Sequence, residues 1–120
     1  MTVVDLFVSK ALWMSANDRM HWAAKSKRTA VVRSLARSAV HGLAPVPTPT
    51  RLTVHVSYPR NGRADPANAY PTIKAAIDGM VDAGLLPDDD DQHLIGPLMV
   101  RGPATGVPGR YTLRFEYEPA

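Results

Sequence analysis

The sequence predicts one α+β domain, in which two helices pack on one face of a small mixed β-sheet. Three observations indicate this class. Two segments place apolar residues at helical spacing, several others alternate apolar and polar residues as half-buried strands do, and helices and strands follow one another along the chain. Because 120 residues supply a single hydrophobic core, the domain is predicted to span residues 1–120.

The first half of the chain contains two predicted strands and one predicted helix. Residues 2–8 (TVVDLFV) are apolar and β-branched, which is typical of a strand. Apolar residues recur at helical spacing from about Ala23 to Val40, and Gly42 is the predicted cap. The residues predicted to share one apolar arc of this helix are Val31, Val32, Leu35 and Ala39. Residues 51–58 alternate cleanly and predict a strand with one buried face.

The second half contains a predicted helix followed by two predicted strands. Residues 70–84 (YPTIKAAIDGMVDAG) carry an apolar stripe at helical spacing and end at Gly84, a favoured residue just after a helix. Residues 94–101 predict a short strand interrupted by a Gly-Pro pair, and residues 110–118 alternate again. We expect these last two strands to form a hairpin with a long loop.

Composition excludes several classes of protein. The chain has no cysteine, so a disulfide framework, a thiolate metal site and a cysteine nucleophile are excluded. The N-terminal segment carries Asp5 and lacks a basic run followed by a long apolar core, so no signal peptide is expected. No apolar run approaches the roughly twenty residues of a membrane helix. We therefore expect a cytoplasmic protein with no membrane partner.

Charge is distributed unevenly along the chain. The net charge is +3 and the isoelectric point about 9.5, which suits a polyanionic partner. Arg33 and Arg37 lie on the polar face of the first predicted helix, and Arg60 and Arg63 flank a loop further on. Carboxylates concentrate in the second half of the chain. A basic helix face is usually just exposed to solvent. The face that carries Arg33 and Arg37 becomes a candidate DNA contact only in combination with these carboxylates.

Two carboxylate clusters, Asp65 in a loop and Asp88–Asp91 after the second helix, define the candidate site. Asp65 is a candidate helix cap, with Asn68 as its rival. A helix of about 12 to 15 residues separates its ends by roughly 20 Å. The clusters therefore meet only if the chain after Gly84 doubles back or a second subunit supplies one of them. The aspartate run is either a solvated loop or a site for Mg²⁺, which prefers hard oxygen ligands.

Lys74 has two interpretations. It can pair with Asp78 one turn further along the helix, a surface interaction worth only a few tenths of a kcal/mol. It can instead project towards the acidic cluster, where its charge would orient a phosphate or stabilise a leaving oxyanion. The sequence leaves both interpretations open.

The stretch DPANAYPTIKAAIDGMVDAGLLPDDDD, residues 65–91, resembles the core motif of the RusA family of Holliday-junction resolvases, especially its phage-borne members. The family pattern is an Asp, an Asn, a helical Lys with an Asp four residues later, a Gly at the helix end and an Asp pair. The corresponding residues here are Asp65, Asn68, Lys74, Asp78, Gly84 and the pair Asp88-Asp89. The preceding SANDRMHW segment, which contains Arg19, and the basic helix after it resemble the family's N-terminal part, so the resemblance covers most of the chain.

The resemblance implies a homodimeric, Mg²⁺-dependent endonuclease with a RusA-like fold, encoded by a phage or prophage. Such an enzyme binds four-way DNA junctions and nicks them symmetrically in DNA recombination and repair, with Mn²⁺ as the alternative ion. The implied metal ligands are Asp65, Asp88 and Asp89, which form the implied catalytic set together with Lys74. The DNA contacts that we expect are Arg19, Arg33, Arg37, Arg60 and Arg63.

The chain departs from the family pattern at two places. Ala67 stands where the best-known members have a second aspartate directly before the Asn, and the interval from Asn68 to Lys74 is about three residues longer. Another aspartate of the run can replace a lost ligand, and Asp90 can take the place assigned to Asp89. Ala67 also favours an alternative function, a non-catalytic DNA-binding protein on the same fold.

Overall fold

The computed structural model describes the whole chain, residues 1–120. The elements in chain order are β1 (Thr2–Ser9), α1 (Trp22–Ala39), β2 (Thr50–Ser57), a 3₁₀ helix (Pro66–Ala69), α2 (Tyr70–Asp82), β3 (Leu94–Arg101) and β4 (Arg110–Pro119). All six predicted helices and strands are present, with ends close to the predicted ones. No helix has both the length and the apolar character needed to cross a membrane.

The four strands form one mixed sheet in the order β1-β4-β2-β3. β4 is antiparallel to both β1 and β2, whereas β3 is parallel to β2. The predicted mixed sheet is confirmed, but the predicted hairpin between the last two strands is wrong. Because α2 connects β2 to β3, a crossover places β3 on one side of β2, and residues 102–109 then carry the chain to the other side.

Both helices pack on the same face of the sheet. The core is one cluster of buried side chains to which all four strands and both helices contribute. Tyr117 of β4 shows the contact between the two layers, because its buried hydroxyl lies 2.9 Å from the sulfur of Met80 in α2. The two helices therefore form one layer on one side of the sheet, as predicted.

The buried face of α1 differs from the prediction. Val32 and Ala36 are fully buried, whereas Val31 and Leu35 are 43% and 39% exposed. Ala39 is exposed as well. α1 packs mainly against α2 rather than against the sheet, so it buries a narrow line of residues four apart. A helix lying flat on a sheet would bury the wider arc that the sequence predicted.

The two helices approach each other closely at Gly79 of α2. A Cβ atom there would overlap the carbonyl oxygen of Arg33 in α1 and would lie 3.1 Å from the Cβ of Ala36. The missing side chain at Gly79 therefore permits the short distance between the helices. The same approach places Arg33 opposite Asp82, to which it donates two hydrogen bonds of 2.5 and 2.8 Å.

Candidate functional site

The loop after α2 turns back towards its own helix. Gly84 has φ +83°, a left-handed conformation that glycine adopts without strain, and it reverses the chain direction. The next two residues, Leu85 and Leu86, are fully buried. The Leu85 carbonyl also accepts a hydrogen bond from the Val46 N–H at 2.9 Å. These contacts fix the path of the loop that carries Asp88–Asp91.

Lys74 makes both of the contacts between which the sequence could not decide. Its Nζ donates to Asp78 Oδ1 at 2.7 Å, one turn further along α2, and to Asp89 Oδ2 at 2.5 Å on the returning loop. The Lys74 and Asp89 side chains are 40% and 28% exposed, so solvent still reaches the pair. The fold thus brings together two of the residues that the RusA-like motif assigns to the catalytic set.

The opposite charges of Lys74 and Asp89 stabilise each other. The pKa of Asp89 is lowered, first by its hydrogen bond from Lys74, against an opposing effect of partial burial. For Lys74, desolvation lowers the pKa, but hydrogen bonds to Asp78 and Asp89 outweigh it and the pKa is raised. Lys74 and Asp89 are therefore both charged at neutral pH.

The four aspartates of the run have different surroundings. Asp88 Oδ1 accepts from the Asp89 N–H at 2.7 Å. Asp90 caps the turn into β3, because its Oδ1 accepts from the N–H groups of Gln92 and His93 at 3.2 Å and lies 2.6 Å from His93 Nδ1. Asp91 is exposed. Asp89 and Asp90 were the two candidates for one ligand position of the motif; Asp89 contacts Lys74, whereas Asp90 has a local structural role.

Asp65 lies at the start of the 3₁₀ helix, outside this cluster of charges. Its Oδ1 accepts from the Ala67 N–H at 3.0 Å, so Asp65 caps the 3₁₀ helix. Neither Asp65 nor Asn68 caps α2, whose N-cap residue Ala69 makes no side-chain capping bond. Asp65 and Asn68 line a cavity of about 320 Å³ together with Asn17 of the N-terminal segment. Two of the segments that carry the family resemblance therefore meet at one cavity.

A buried threonine holds the N-terminal segment against α2. The Oγ1 of Thr72 accepts from the Met14 N–H at 2.9 Å and donates to the Met14 carbonyl at 2.8 Å. Two residues further on, the Ala16 N–H donates to the Asn68 carbonyl at 2.8 Å. These bonds fix the segment that contains Asn17 and Arg19 relative to the candidate site.

Three aromatic rings lie where the cavity that contains Asp65 meets two other cavities. Trp13 stacks on Tyr111 with ring centroids 4.2 Å apart, and Tyr58 packs edge-on against both at about 6 Å. Each ring lines two of the three adjoining cavities. We call these three residues the aromatic triad.

The largest cavity beside the aromatic triad, about 740 Å³, has basic walls. Its cationic lining residues, which define what we call the basic cleft, are Lys10, Arg60, Arg63 and Arg101. An adjoining cavity of about 720 Å³ contains Arg19 and Arg28. Three predicted DNA contacts, Arg19, Arg60 and Arg63, thus lie on connected surfaces.

The two predicted DNA contacts on α1 have a different environment. Arg33 is engaged by Asp82, and this hydrogen bond is the main reason why the pKa of Asp82 is lowered. Arg37 is exposed and lies close enough to Asp82 to lower its pKa slightly further. Neither arginine lines the basic cleft, so the structure divides the predicted DNA contacts between two surfaces.

The predicted metal ligands Asp65, Asp88 and Asp89 do not form one metal-binding group. The chain has no group of three or more His, Asp or Glu side chains placed to hold a metal ion. The donor chemistry at Asp88 and Asp89 nevertheless fits Mg²⁺, which takes one or two carboxylates and completes its shell with water and substrate oxygens. One oxygen of each of these two carboxylates has no hydrogen-bond partner in the protein.

Reasoning from the sequence missed half of the basic cleft. Lys10 follows β1 and Arg101 ends β3, two strands far apart in the chain, and the aromatic triad also comes from three separate segments. Each of these residues has an unremarkable local pattern. A pairing of aromatic and basic residues near strand ends was the only available signal, and it required the correct strand order to be useful.

No protein-family model matches the chain, and no curated protein matches it either. The function therefore has to be inferred from the geometry of the site and from the motif order of residues 65–91.

Proposed function

We propose that the protein is a Mg²⁺-dependent DNA endonuclease of the RusA type, which resolves four-way junctions by nicking two strands symmetrically. The observation that carries the proposal is the 2.5 Å contact between Lys74 and Asp89 across fifteen residues of chain. The RusA-like motif assigns both residues to a single catalytic set, and their contact supports that assignment. Asp88 lies next to Asp89 on the same loop.

The residues of this cluster have distinct roles in the proposed reaction. Asp88 and Asp89 would hold the metal ion through their free oxygens. Asp65, the third ligand that the motif implies, does not group with them within one subunit, so it would reach the ion only from the partner subunit. When bound, Mg²⁺ supplies positive charge that stabilises the oxygens of a phosphodiester during hydrolysis. Lys74 keeps Asp89 ionised and fixes one of its oxygens, so the carboxylate is oriented before a cation arrives. The Lys74 ammonium also adds positive charge next to the phosphate.

We propose that the active form is a homodimer, because symmetric nicking of a four-way junction requires two sites. Val31 and Leu35 on the exposed side of α1 offer apolar surface for such an interface. Light scattering on the purified protein tests this part of the proposal. A mass of twice 13.0 kDa is expected, and a mass of 13.0 kDa at micromolar concentration would contradict it.

A cleavage assay tests the proposed activity. The substrates are a labelled four-way junction and a linear duplex of the same arm sequence, each incubated with Mg²⁺ or with EDTA. We expect paired nicks in the junction only, and only with Mg²⁺. Asp65→Asn and Asp89→Asn should each slow nicking by about 100-fold or more, as loss of a metal ligand does. Nicking that persists in both variants would show that the site lies elsewhere.

The second candidate function is a non-catalytic DNA-binding protein on the same fold. Ala67, which replaces a family aspartate, favours it, and so does the basic cleft, which needs no metal to attract phosphates. The same assay separates the two functions. Junction binding without nicking, in both Mg²⁺ and Mn²⁺, would support the second function and contradict the first.

A further inference from the structure

The face of the sheet opposite the two helices carries a cavity of about 630 Å³. Because Val4 and Leu6 of β1 point into the core, Asp5 and Phe7 belong to this other face, and both line the cavity. Part of the loop between β3 and β4 lines it as well. We call it the outer cavity. It contains none of the candidate catalytic residues, and its volume lies in the range of sites for small molecules.

One row of side chains in the outer cavity joins an aromatic ring to two hydroxyl groups. In the register of the sheet, Thr112 of β4 lies opposite Phe7 of β1 on one side and Ser57 of β2 on the other. Since neighbouring strands are about 4.8 Å apart, the row is roughly 10 Å wide. Phe7 is 58% exposed. The row therefore offers an apolar surface at one end and a hydroxyl group at the other, within the length of a small organic molecule.

The hydroxyl of Ser57 has no hydrogen-bond partner within the protein, although the residue is only 9% exposed. No fully buried side-chain oxygen of the protein lacks a partner, so this hydroxyl opens onto the outer cavity. A Cβ atom at Gly102 would lie 2.6 Å from the Ser57 oxygen, and any side chain there would occupy the space beside it. A nearly buried hydroxyl that lines a cavity without a partner indicates a ligand that completes its hydrogen bonding.

Most of the charged groups in the outer cavity are already paired. Arg114 donates two hydrogen bonds to Asp5, at 2.8 and 3.1 Å, and His55 Nε2 contacts a carboxylate oxygen of Glu116. Glu116 also lies six residues from Arg110 along β4, a separation of roughly 20 Å in a strand. These pairs leave both carboxylates engaged and distant from the one remaining cation.

Arg110 is the cation of the outer cavity that has no carboxylate partner. Its guanidinium lies 4.7 Å from the centroid of the Phe7 ring, and this contact favours a position over the ring. A guanidinium stacked on a ring keeps the N–H donors at its edge available for an anion. Thr112 lies two residues further along the same face of β4, so its hydroxyl is close to an anion bound there.

We propose that the outer cavity binds a small organic carboxylate, in which an apolar body separates the carboxylate from a hydrogen-bonding group. Arg110 binds the carboxylate, Phe7 and Val107 contact the apolar body, and the Ser57 hydroxyl binds the distant polar group. A single free guanidinium matches one negative charge, whereas a phosphate monoester carries nearly two at neutral pH. The chemistry of the cavity therefore favours a carboxylate over a phosphate. This inference does not depend on the proposed nuclease function.

A titration followed by NMR shifts of the backbone amides tests both the binding and its location. The probe is 4-hydroxybenzoate, compared with benzoate, which lacks the hydroxyl group, and with 4-hydroxybenzyl alcohol, which lacks the charge. We expect saturable shifts at Phe7, Ser57 and Thr112 with a Kd of about 1 mM or lower for 4-hydroxybenzoate. Benzoate should bind about three- to tenfold more weakly, since it loses one hydrogen bond. The alcohol should not saturate the site.

Two variants assign the two ends of the ligand. Arg110→Gln should weaken the binding of both carboxylates by about tenfold or more, because a charged hydrogen bond is lost. Arg51→Gln is the matched control, since it removes the same charge from an exposed position outside the outer cavity and should leave both affinities unchanged. Ser57→Ala should lower the affinity for 4-hydroxybenzoate to that for benzoate and leave the affinity for benzoate unchanged, as a cycle of ligand and residue requires.

Three results would overturn the proposal. Shifts spread over the whole surface, or equal losses in Arg110→Gln and Arg51→Gln, would show that the outer cavity is not the site. Equal weakening of both carboxylates by Ser57→Ala would show that Ser57 does not bind the distant polar group. Tighter binding of phenyl phosphate than of benzoate would contradict the assignment to a carboxylate. The titrations contain EDTA and no DNA, so the cleavage assay can fail while this proposal stands, and the reverse also holds.

Discussion

Lys74 donates a hydrogen bond of 2.5 Å to Asp89, fifteen residues further along the chain, while it also holds Asp78 on its own helix. The contact exists because the chain reverses at Gly84 and anchors Leu85 in the core. One ammonium thus joins the helix that carries the RusA-like motif to the loop that carries its aspartates.

The Lys74–Asp89 pair should give the protein a defined acid sensitivity. The folded-state pKa of Asp89 is lowered by Lys74, so its stabilisation is present above the unfolded pKa of about 3.9 and is lost as the pH falls through the lower folded value. The raised pKa of Lys74 keeps that partner charged throughout this range. In EDTA at pH 7, Asp89→Asn should lower the free energy of unfolding by about 0.5 to 1 kcal/mol.

Urea denaturation of wild type and Asp89→Asn at a series of pH values checks this dependence. The difference in unfolding free energy should stay constant between about pH 6 and pH 8, because Asp89 is ionised in both the folded and the unfolded protein there. It should shrink below about pH 4, near the reference pKa of aspartate. A difference that is the same at pH 3 and pH 7 would show that the charge on Asp89 does not contribute.

Thr72→Val should release the N-terminal segment from α2. Valine has a similar shape but leaves the buried N–H and carbonyl of Met14 without partners, at a cost of about 1–3 kcal/mol. Thr72→Ser is the matched control, because it keeps the hydroxyl and loses only a methyl group. Amide hydrogen exchange at Met14 should be fast in the valine variant and remain slow in the serine variant. Equal protection of Met14 in both would refute the role of Thr72.

Gly79→Ala should destabilise the protein, although alanine is normally the better helix former. The added Cβ would overlap the carbonyl oxygen of Arg33, and separating two packed helices costs about 1–3 kcal/mol. Gly62→Ala is the control, since a Cβ there meets no atom within 4 Å. Thermal unfolding should show a lower Tm for Gly79→Ala alone. A Tm equal to that of the wild type would mean that α1 and α2 pack less closely than described.

Arg33 should contribute little to DNA binding, because Asp82 already engages its guanidinium through two hydrogen bonds. Arg33→Ala/Asp82→Ala removes both charges and leaves the net charge unchanged. We expect its affinity for a four-way junction in EDTA to stay within about twofold of the wild type, since no phosphate contact is lost. A tenfold loss would restore Arg33 to the set of DNA contacts.

Local patterns predicted the secondary structure but not the strand order. The periodicity of apolar residues identified both helices and all four strands, because each period reflects one buried face. The pairing of β4 with β1 joins residues 101 to 115 positions apart in the chain, and its pairing with β2 joins residues 55 to 69 positions apart. For the same reason the sequence did not indicate that Lys10, Arg63 and Arg101 share a cleft.

The candidate site was predicted in part. The motif identified Lys74 and Asp89, and their contact is present, but the order of residues alone could not show that the loop turns back. That path depends on the burial of Leu85 and Leu86, which the sequence does not distinguish from any other leucine pair. Asp65 was correctly placed in a loop before a helix, although its distance from the aspartate run could not be read from the chain.

The rate of junction nicking by Asp89→Asn, compared with Asp91→Asn, tests the central claim most directly. Both substitutions remove one charge from the same aspartate run, but only Asp89 contacts Lys74. With Mg²⁺, we expect Asp91→Asn to nick a four-way junction within about threefold of the wild-type rate and Asp89→Asn to be slower by about 100-fold, since it loses a metal ligand. Junction binding in EDTA should be the same for both variants. Nicking by Asp89→Asn at the wild-type rate would contradict the account.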